Sequence, residues 1–135
     1  MSRPHRTRGS LSVEVVALVP MMMVLVLLTV FGFRWTHAAS DAVHAAGIAA
    51  REASASLRST AIANGRSAGT SVIAASRWCR GATVRVTRTE SGGDIWYSAR
   101  VTCTVDATGL SLLRMGRATV VGSSVQVVDR FRSDR

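Results

Sequence analysis

Cys79 and Cys103 are the side chains in this sequence best suited to covalent chemistry, and their spacing decides which kind. They are too far apart for the Cys-x-x-Cys pair of a redox centre, and two cysteines are too few for a four-cysteine zinc site. A cysteine nucleophile needs a base beside it, and no sequence motif pairs either cysteine with a histidine. His37 and His44 are seven residues apart and share a helix face, but no third metal ligand joins them. They read as surface histidines. The chain has no G-x-S-x-G elbow and no phosphate-binding loop. The expectation is a non-enzymatic protein with no catalytic residue, no metal and no cofactor. The cysteines form either a structural disulfide or two buried thiols.

Charge is the other chemical resource. All 17 basic residues are arginine, against 8 acids, for a net charge of +9. Such a balance invites an anionic partner. The arginines are dispersed, however, and aromatic residues make up only 5% of the chain, too few for a base-stacking platform. Nucleic acid is therefore not the expected partner. At 47% hydrophobic the chain is too apolar to be disordered throughout, and 135 residues are too few for a large multidomain enzyme.

The apolar residues are concentrated near the N-terminus. Residues 15–33 read VVALVPMMMVLVLLTVFGF, interrupted only by Pro20, Thr29 and Gly32. At 1.5 Å per residue this run spans roughly 28 Å, close to the hydrocarbon core of a bilayer. It is longer than the apolar region of a removable secretory signal. Arg3, Arg6 and Arg8 precede it, while Arg34 alone follows closely. That asymmetry puts the N-terminus in the cytoplasm and the rest outside. Pro20 is tolerated in a membrane helix and implies a mild kink. One carboxylate, Glu14, borders the run. Either it is solvated at the interface, or it is buried and needs a cationic partner.

The residues around Glu14 carry a family resemblance. The stretch Arg8-Gly9-Ser10-Leu11-Ser12-Val13-Glu14 gives a basic leader, a Gly, and a Glu five residues past it, before a hydrophobic helix. This resembles the class III signal of type IV pilin-like proteins. Gly9, Val13, Glu14, Ala17 and Pro20, followed by aliphatics and then Phe31-Gly32, resemble the N-terminal motif of TadE-like pseudopilins. These belong to the tight-adherence (Flp-type) pilus systems. Ala49-Ala50-Arg51 is similar to an Ala-Arg pair in that family, so the resemblance covers roughly residues 8–52. Val30 stands where members often carry a second acid, and no role of that acid is carried over. The resemblance implies that a membrane-embedded prepilin peptidase cuts between Gly9 and Ser10. Ser10 would become the first mature residue, and Glu14 would pair with the free α-amine of a neighbouring subunit. That amine titrates at about 7.7–8.0, so it is mostly charged at neutral pH. The implied partners are the lipid bilayer, the peptidase, other pilin-like subunits and the pilus assembly platform.

These elements need an extracytoplasmic domain to follow them. Residues 35–64 are Ala-rich and free of Pro, with small or apolar residues at Ala39, Val43, Ala46, Ala50, Ala53, Leu57 and Ala61. That 3–4 spacing predicts a helix with one packing seam, ended by Asn64-Gly65. The seam packs either on the protein's own sheet or on other pilin-like helices. Gly69 and its Ser/Thr neighbours suggest a turn, then a short helix over 70–78. Residues 82–89 and 95–105 alternate in polarity about Gly92-Gly93, a favoured hairpin turn. Centred there, the hairpin pairs Ser91 with Asp94, Val86 with Ala99, Val84 with Val101, and Ala82 with Cys103. Cys79 then falls near Cys103 across Gly81, which lets the chain bend, and this register favours a Cys79–Cys103 disulfide in an oxidising compartment.

In the same register Arg85, Arg88 and Arg100 are expected on the face away from the valines, with Arg85 directly opposite Arg100. Like charges so placed repel, so the face is either solvated or beside something anionic. After a connector over 107–117, residues 119–131 read as a third strand with a bulge at Gly122-Ser123-Ser124. The expected fold is α+β: an N-terminal transmembrane helix continuing into an Ala-rich helix, packed on a small antiparallel β-sheet. The expected divisions are 1–9, a cytoplasmic leader; 10–34, the membrane helix; 35–65, the Ala-rich helix; and 66–135, a disulfide-containing β-rich domain. The alternative to a pilin-like protein is an uncleaved single-pass anchor with a small basic binding domain.

Overall fold

A computed structural model of the chain describes residues 10–105 and 117–128, the first five as backbone alone. The elements are α1 (Ser10–Ala55), α2 (Ala61–Ala74), β1 (Cys79–Ser91), β2 (Asp94–Val105) and β3 (Thr119–Val127). The strands form one antiparallel sheet in the order β1-β2-β3. The two helices cover one face of it, α1 over β2 and β3, α2 over β1. The architecture is α+β, as expected. The leader and most of the connector over 107–117 lie outside the described residues.

α1 has 46 residues, which at 1.5 Å each makes a rod of about 69 Å. It passes from the apolar run into the Ala-rich stretch without a break, and Pro20 lies inside it. From Val15 to His37 no side chain is buried. By length and composition this helix can cross a membrane once, and none of its apolar window is buried in the fold. The two threonine hydroxyls on this length are satisfied locally. Thr29 Oγ1 donates to Leu25 O at 2.9 Å, and Thr36 Oγ1 to Phe33 O at 2.9 Å. A hydroxyl bonded back to its own helix carries a smaller penalty in lipid than a free one.

The second half of α1 is buried on a face wider than one seam. Ala46, Ala50 and Ala53 are fully buried as predicted, and so are Ala38, Ala42, Ala45 and Ala49. Val43, expected on the seam, is instead 53% exposed, and Leu57, 63% exposed, lies in the turn past the end of α1. The alanine face is wide because α1 packs on two partners, α2 beside it and the sheet beneath it. Two adjacent rows of alanine serve them.

The predicted helix end at Asn64-Gly65 is corrected. α1 stops at Ala55, residues 56–60 turn, and Asn64 and Gly65 lie within α2. Asn64 holds the turn closed, donating from Nδ2 to Ser56 Oγ at 3.0 Å. Gly65 and Gly69 are the points where α2 folds back against α1. A Cβ on Gly65 would fall 2.6 Å from Ala49 O, and one on Gly69 would fall 2.8 Å from the Ala49 Cβ. Small residues four apart let two helices approach this closely. The turn expected at Gly69 is absent for the same reason, and α2 ends at Ala74, short of Trp78. The expected division at 65/66 therefore falls inside a helix.

The sheet follows the predicted register over most of its length. Ser91 pairs with Asp94, Val86 with Ala99 and Val84 with Val101. The turn glycines Gly92 and Gly93 have φ of 60° and 84°, open to glycine at no steric cost. The pairing of Ala82 with Cys103 does not form. The register shifts between Arg80 and Thr83, where Gly81 takes a φ of 57°. In β3 the predicted bulge is absent, because pairing runs continuously from Trp96↔Val127 to Thr104↔Thr119. Gly122 serves another purpose: it lies directly beneath the backbone of α1 at Ala42. The core joins the alanines of α1 to Ile73, Val86, Tyr97, Val101, Val105 and Val120.

Candidate functional site

Three regions carry the residues singled out from the sequence. The first is the start of α1. Gly9 lies outside the described residues, while Ser10, Val13 and Glu14 are placed as helical backbone, Glu14 a little over one turn beyond Ser10. Ala17 and Pro20 are exposed on the bare apolar length. Among the described residues nothing covers this surface.

The second region is the base of the sheet. Cys79 and Cys103 form a disulfide, with Cα atoms 5.4 Å apart. The bulge at Gly81 sets this up. It moves Cys79 opposite Val105 in the ladder, diagonal to Cys103. Both sulfurs are buried, and Cys79 Sγ lies 3.7 Å from Ala38 O, so the bridge also abuts α1.

The third region is the outer face of the sheet. Arg85 and Arg100 are paired across β1 and β2, and both are exposed. Arg66 of α2, not singled out from the sequence, joins them in a shallow groove of about 720 Å³ with Thr83, Thr87 and Ser98. No acidic residue lines it. Among the described residues none of these three arginines has an ion-pair partner. Arg88 is a correction. Strand alternation puts it with Val84 and Val86, on the helix side, opposite the buried Tyr97. It pairs with Glu90, which Arg58 also contacts at 2.7 Å. This bridge joins the hairpin tip to the turn after α1. Being largely exposed, it adds little stability.

His37 and His44 do not form a pair. His37 packs on Phe33 and Trp78, with ring centroids 4.2 and 5.8 Å away. His44 borders a shallow cleft with Asp41 and Arg77. Among the described residues no three His, Cys, Asp or Glu side chains come together as metal ligands. The ring stack was missed in the sequence, although Phe33 and His37 are four apart on a helix and therefore neighbours. No family model, no curated protein and no solved structure matches this chain.

Proposed function

We propose that the chain is a TadE-like minor pilin or pseudopilin, a structural subunit used in assembling a tight-adherence pilus. It is made with its N-terminus in the cytoplasm, cut by prepilin peptidase between Gly9 and Ser10, and left anchored by α1. The observation that carries this reading is the unbroken α1, bare over its apolar half and strapped to a small sheet over its alanine half. A subunit of a helical assembly needs such a division: one length of helix for its own domain, one for its neighbours. The motif from Gly9 to Pro20 supplies the processing signal. Glu14 then meets the free amine of the next subunit, a pairing that makes a buried carboxylate tolerable.

The test is the N-terminus of the mature protein. With the peptidase present, the chain isolated from membranes is expected to begin at Ser10. Gly9→Ala is expected to leave the whole leader attached. A wild-type chain that starts at Met1 or Ser2 in the presence of the peptidase would overturn the proposal.

One observation favours a second reading, an uncleaved anchor presenting a basic binding domain. It is the unpartnered cluster of Arg85, Arg100 and Arg66. If the groove serves only as solvated surface, Arg100→Glu replaces a cross-strand repulsion with an attraction. Stability then rises by about 0.2–1 kcal/mol. If the groove binds an acidic polymer, the same variant also loses retention on a polyanionic resin. Retention equal to wild type removes this second reading.

A further inference from the structure

The apolar run ends at Phe33, and the globular part begins almost at once. Ala38 is the first fully buried residue of α1, about 8 Å along the axis from Phe33. The polar layer on each side of a bilayer's hydrocarbon core is about 5–8 Å deep. There is no spacer between the two, because α1 is continuous. Whatever packs against Phe33 and His37 therefore lies in that layer.

What packs there is the loop between α2 and β1. The Trp78 ring meets Phe33 edge-on at 5.8 Å and stacks on His37 at 5.8 Å. The loop is tied at both ends. Ser76 Oγ donates to Asp41 Oδ2 at 2.5 Å, and the Trp78 backbone N–H donates to Ser76 Oγ at 3.2 Å. The next residue, Cys79, is bridged to Cys103. Trp78 therefore cannot swing away from α1. Arg77 is exposed beside Trp78, while Trp35 is at the same level but on the opposite side of α1, against Phe31. Tryptophan with an apolar body and one N–H, flanked by arginine, is the composition of a membrane–water interface.

We propose that Trp78 and Arg77, with Phe33 and His37 of α1, form a lipid-headgroup contact that seats the globular part flush on the bilayer. This rests on α1 being a membrane span, and it holds for either orientation. Its consequence is rotational. Tilt and rotation of a single membrane helix are set by its interfacial anchors. An anchor on one side of α1 fixes which side of the bare apolar length faces a given direction in the membrane plane. The subunit is thereby held in one pose before it meets a neighbour.

The third tryptophan provides an internal control. Trp96 is next to the hairpin tip, which the Arg58–Glu90 contact holds beside the far end of α1, about 30 Å from the level of Phe33. The full chain carrying Trp35→Phe with Trp96→Phe keeps only Trp78. The chain carrying Trp35→Phe with Trp78→Phe keeps only Trp96. Each is reconstituted into phosphatidylcholine vesicles with a nitroxide in the headgroup, and into vesicles with the nitroxide at the acyl-chain end. Flotation is scored in parallel. Trp78 emission is expected to be quenched mainly by the headgroup label, and Trp96 emission by neither. If the chain floats but Trp78 is quenched no more than Trp96, the seating proposal fails while the span stands. If the chain does not float, both fail.

Discussion

Gly122→Ala is expected to pry β3 from α1 and to destabilise the fold more than any other single methyl addition. A Cβ built on Gly122 falls 2.3 Å from both C and O of Ala42 and 2.4 Å from Val43 N. All three are backbone atoms of a helix, so no side-chain rotation relieves the clash. Either α1 lifts or β3 leaves its pairing with Val101. Overpacking costs about 1–3 kcal/mol and occasionally more, and a rigid neighbour places this case at the upper end, about 3 kcal/mol. Gly47→Ala is the matched control. Gly47 lies in α1, and its Cβ would meet nothing within 4 Å. Replacing that glycine in mid-helix is expected to gain about 0.5–1 kcal/mol. Thermal unfolding of the full chain in detergent micelles would check the pair. For a domain of ~100 residues, 3 kcal/mol corresponds to a drop of about 15 °C. If Gly122→Ala melts with wild type, the close crossing of helix and strand is not as described.

Gly122 also explains what was and was not legible in the sequence. Glycine has two unrelated uses here. Gly81, Gly92 and Gly93 are needed for positive φ, and Gly65, Gly69 and Gly122 for the side chain they lack. The first use is local. A Gly-Gly flanked by alternating strands announces a hairpin, and its register then brings Cys79 near Cys103. The second use depends on a partner far away in sequence. Gly65 meets Ala49 and Ala53, Gly69 meets Ala49 and Val84, and Gly122 meets Ala42. Read locally, Gly65 looks like a helix stop, Gly69 a turn and Gly122 a bulge, and each of those readings is wrong. The alanine face of α1 was half legible for a related reason. A 3–4 spacing reveals one seam, whereas a helix packed on both α2 and the sheet needs a broader one. Arg88 was misplaced by charge: grouping it with Arg85 overrode the alternation that puts it beside Val86. For the candidate sites, the opposition of Arg85 and Arg100 follows from the hairpin alone. Arg66 and Trp78 reach their places through α2 folding back, which the sequence pattern conceals.

Removing the disulfide is the other change with a large expected effect. Cys79 and Cys103 are separated by 24 residues, and closing a loop of that length restricts the unfolded chain by about 3.4 kcal/mol in the chain-entropy treatment. Cys79→Ala with Cys103→Ala is expected to lose most of that, a fall in melting temperature of about 15 °C for a domain of this size. The loss should be uneven along the sheet. The hairpin tip has its own glycine turn and the Glu90 bridges, so pairing near Val86 and Ala99 should survive. The base has a register shift at Gly81 and depends on the bridge, so amides of Arg80 and Val105 should exchange faster with solvent. The loop carrying Trp78 ends at Cys79, and without the bridge it keeps the Ser76–Asp41 bond and the Trp78 ring contacts to α1 but loses its tie to the sheet. Quenching of Trp78 by headgroup label should then weaken in the same variant, with flotation unchanged. Reduction of the wild-type chain should reproduce both effects, since it breaks the same link without altering the sequence. If the double variant melts with wild type, the bridge contributes nothing to stability. If it melts lower but Trp78 stays equally quenched, α1 alone holds that loop at the membrane, and the bridge serves the sheet only.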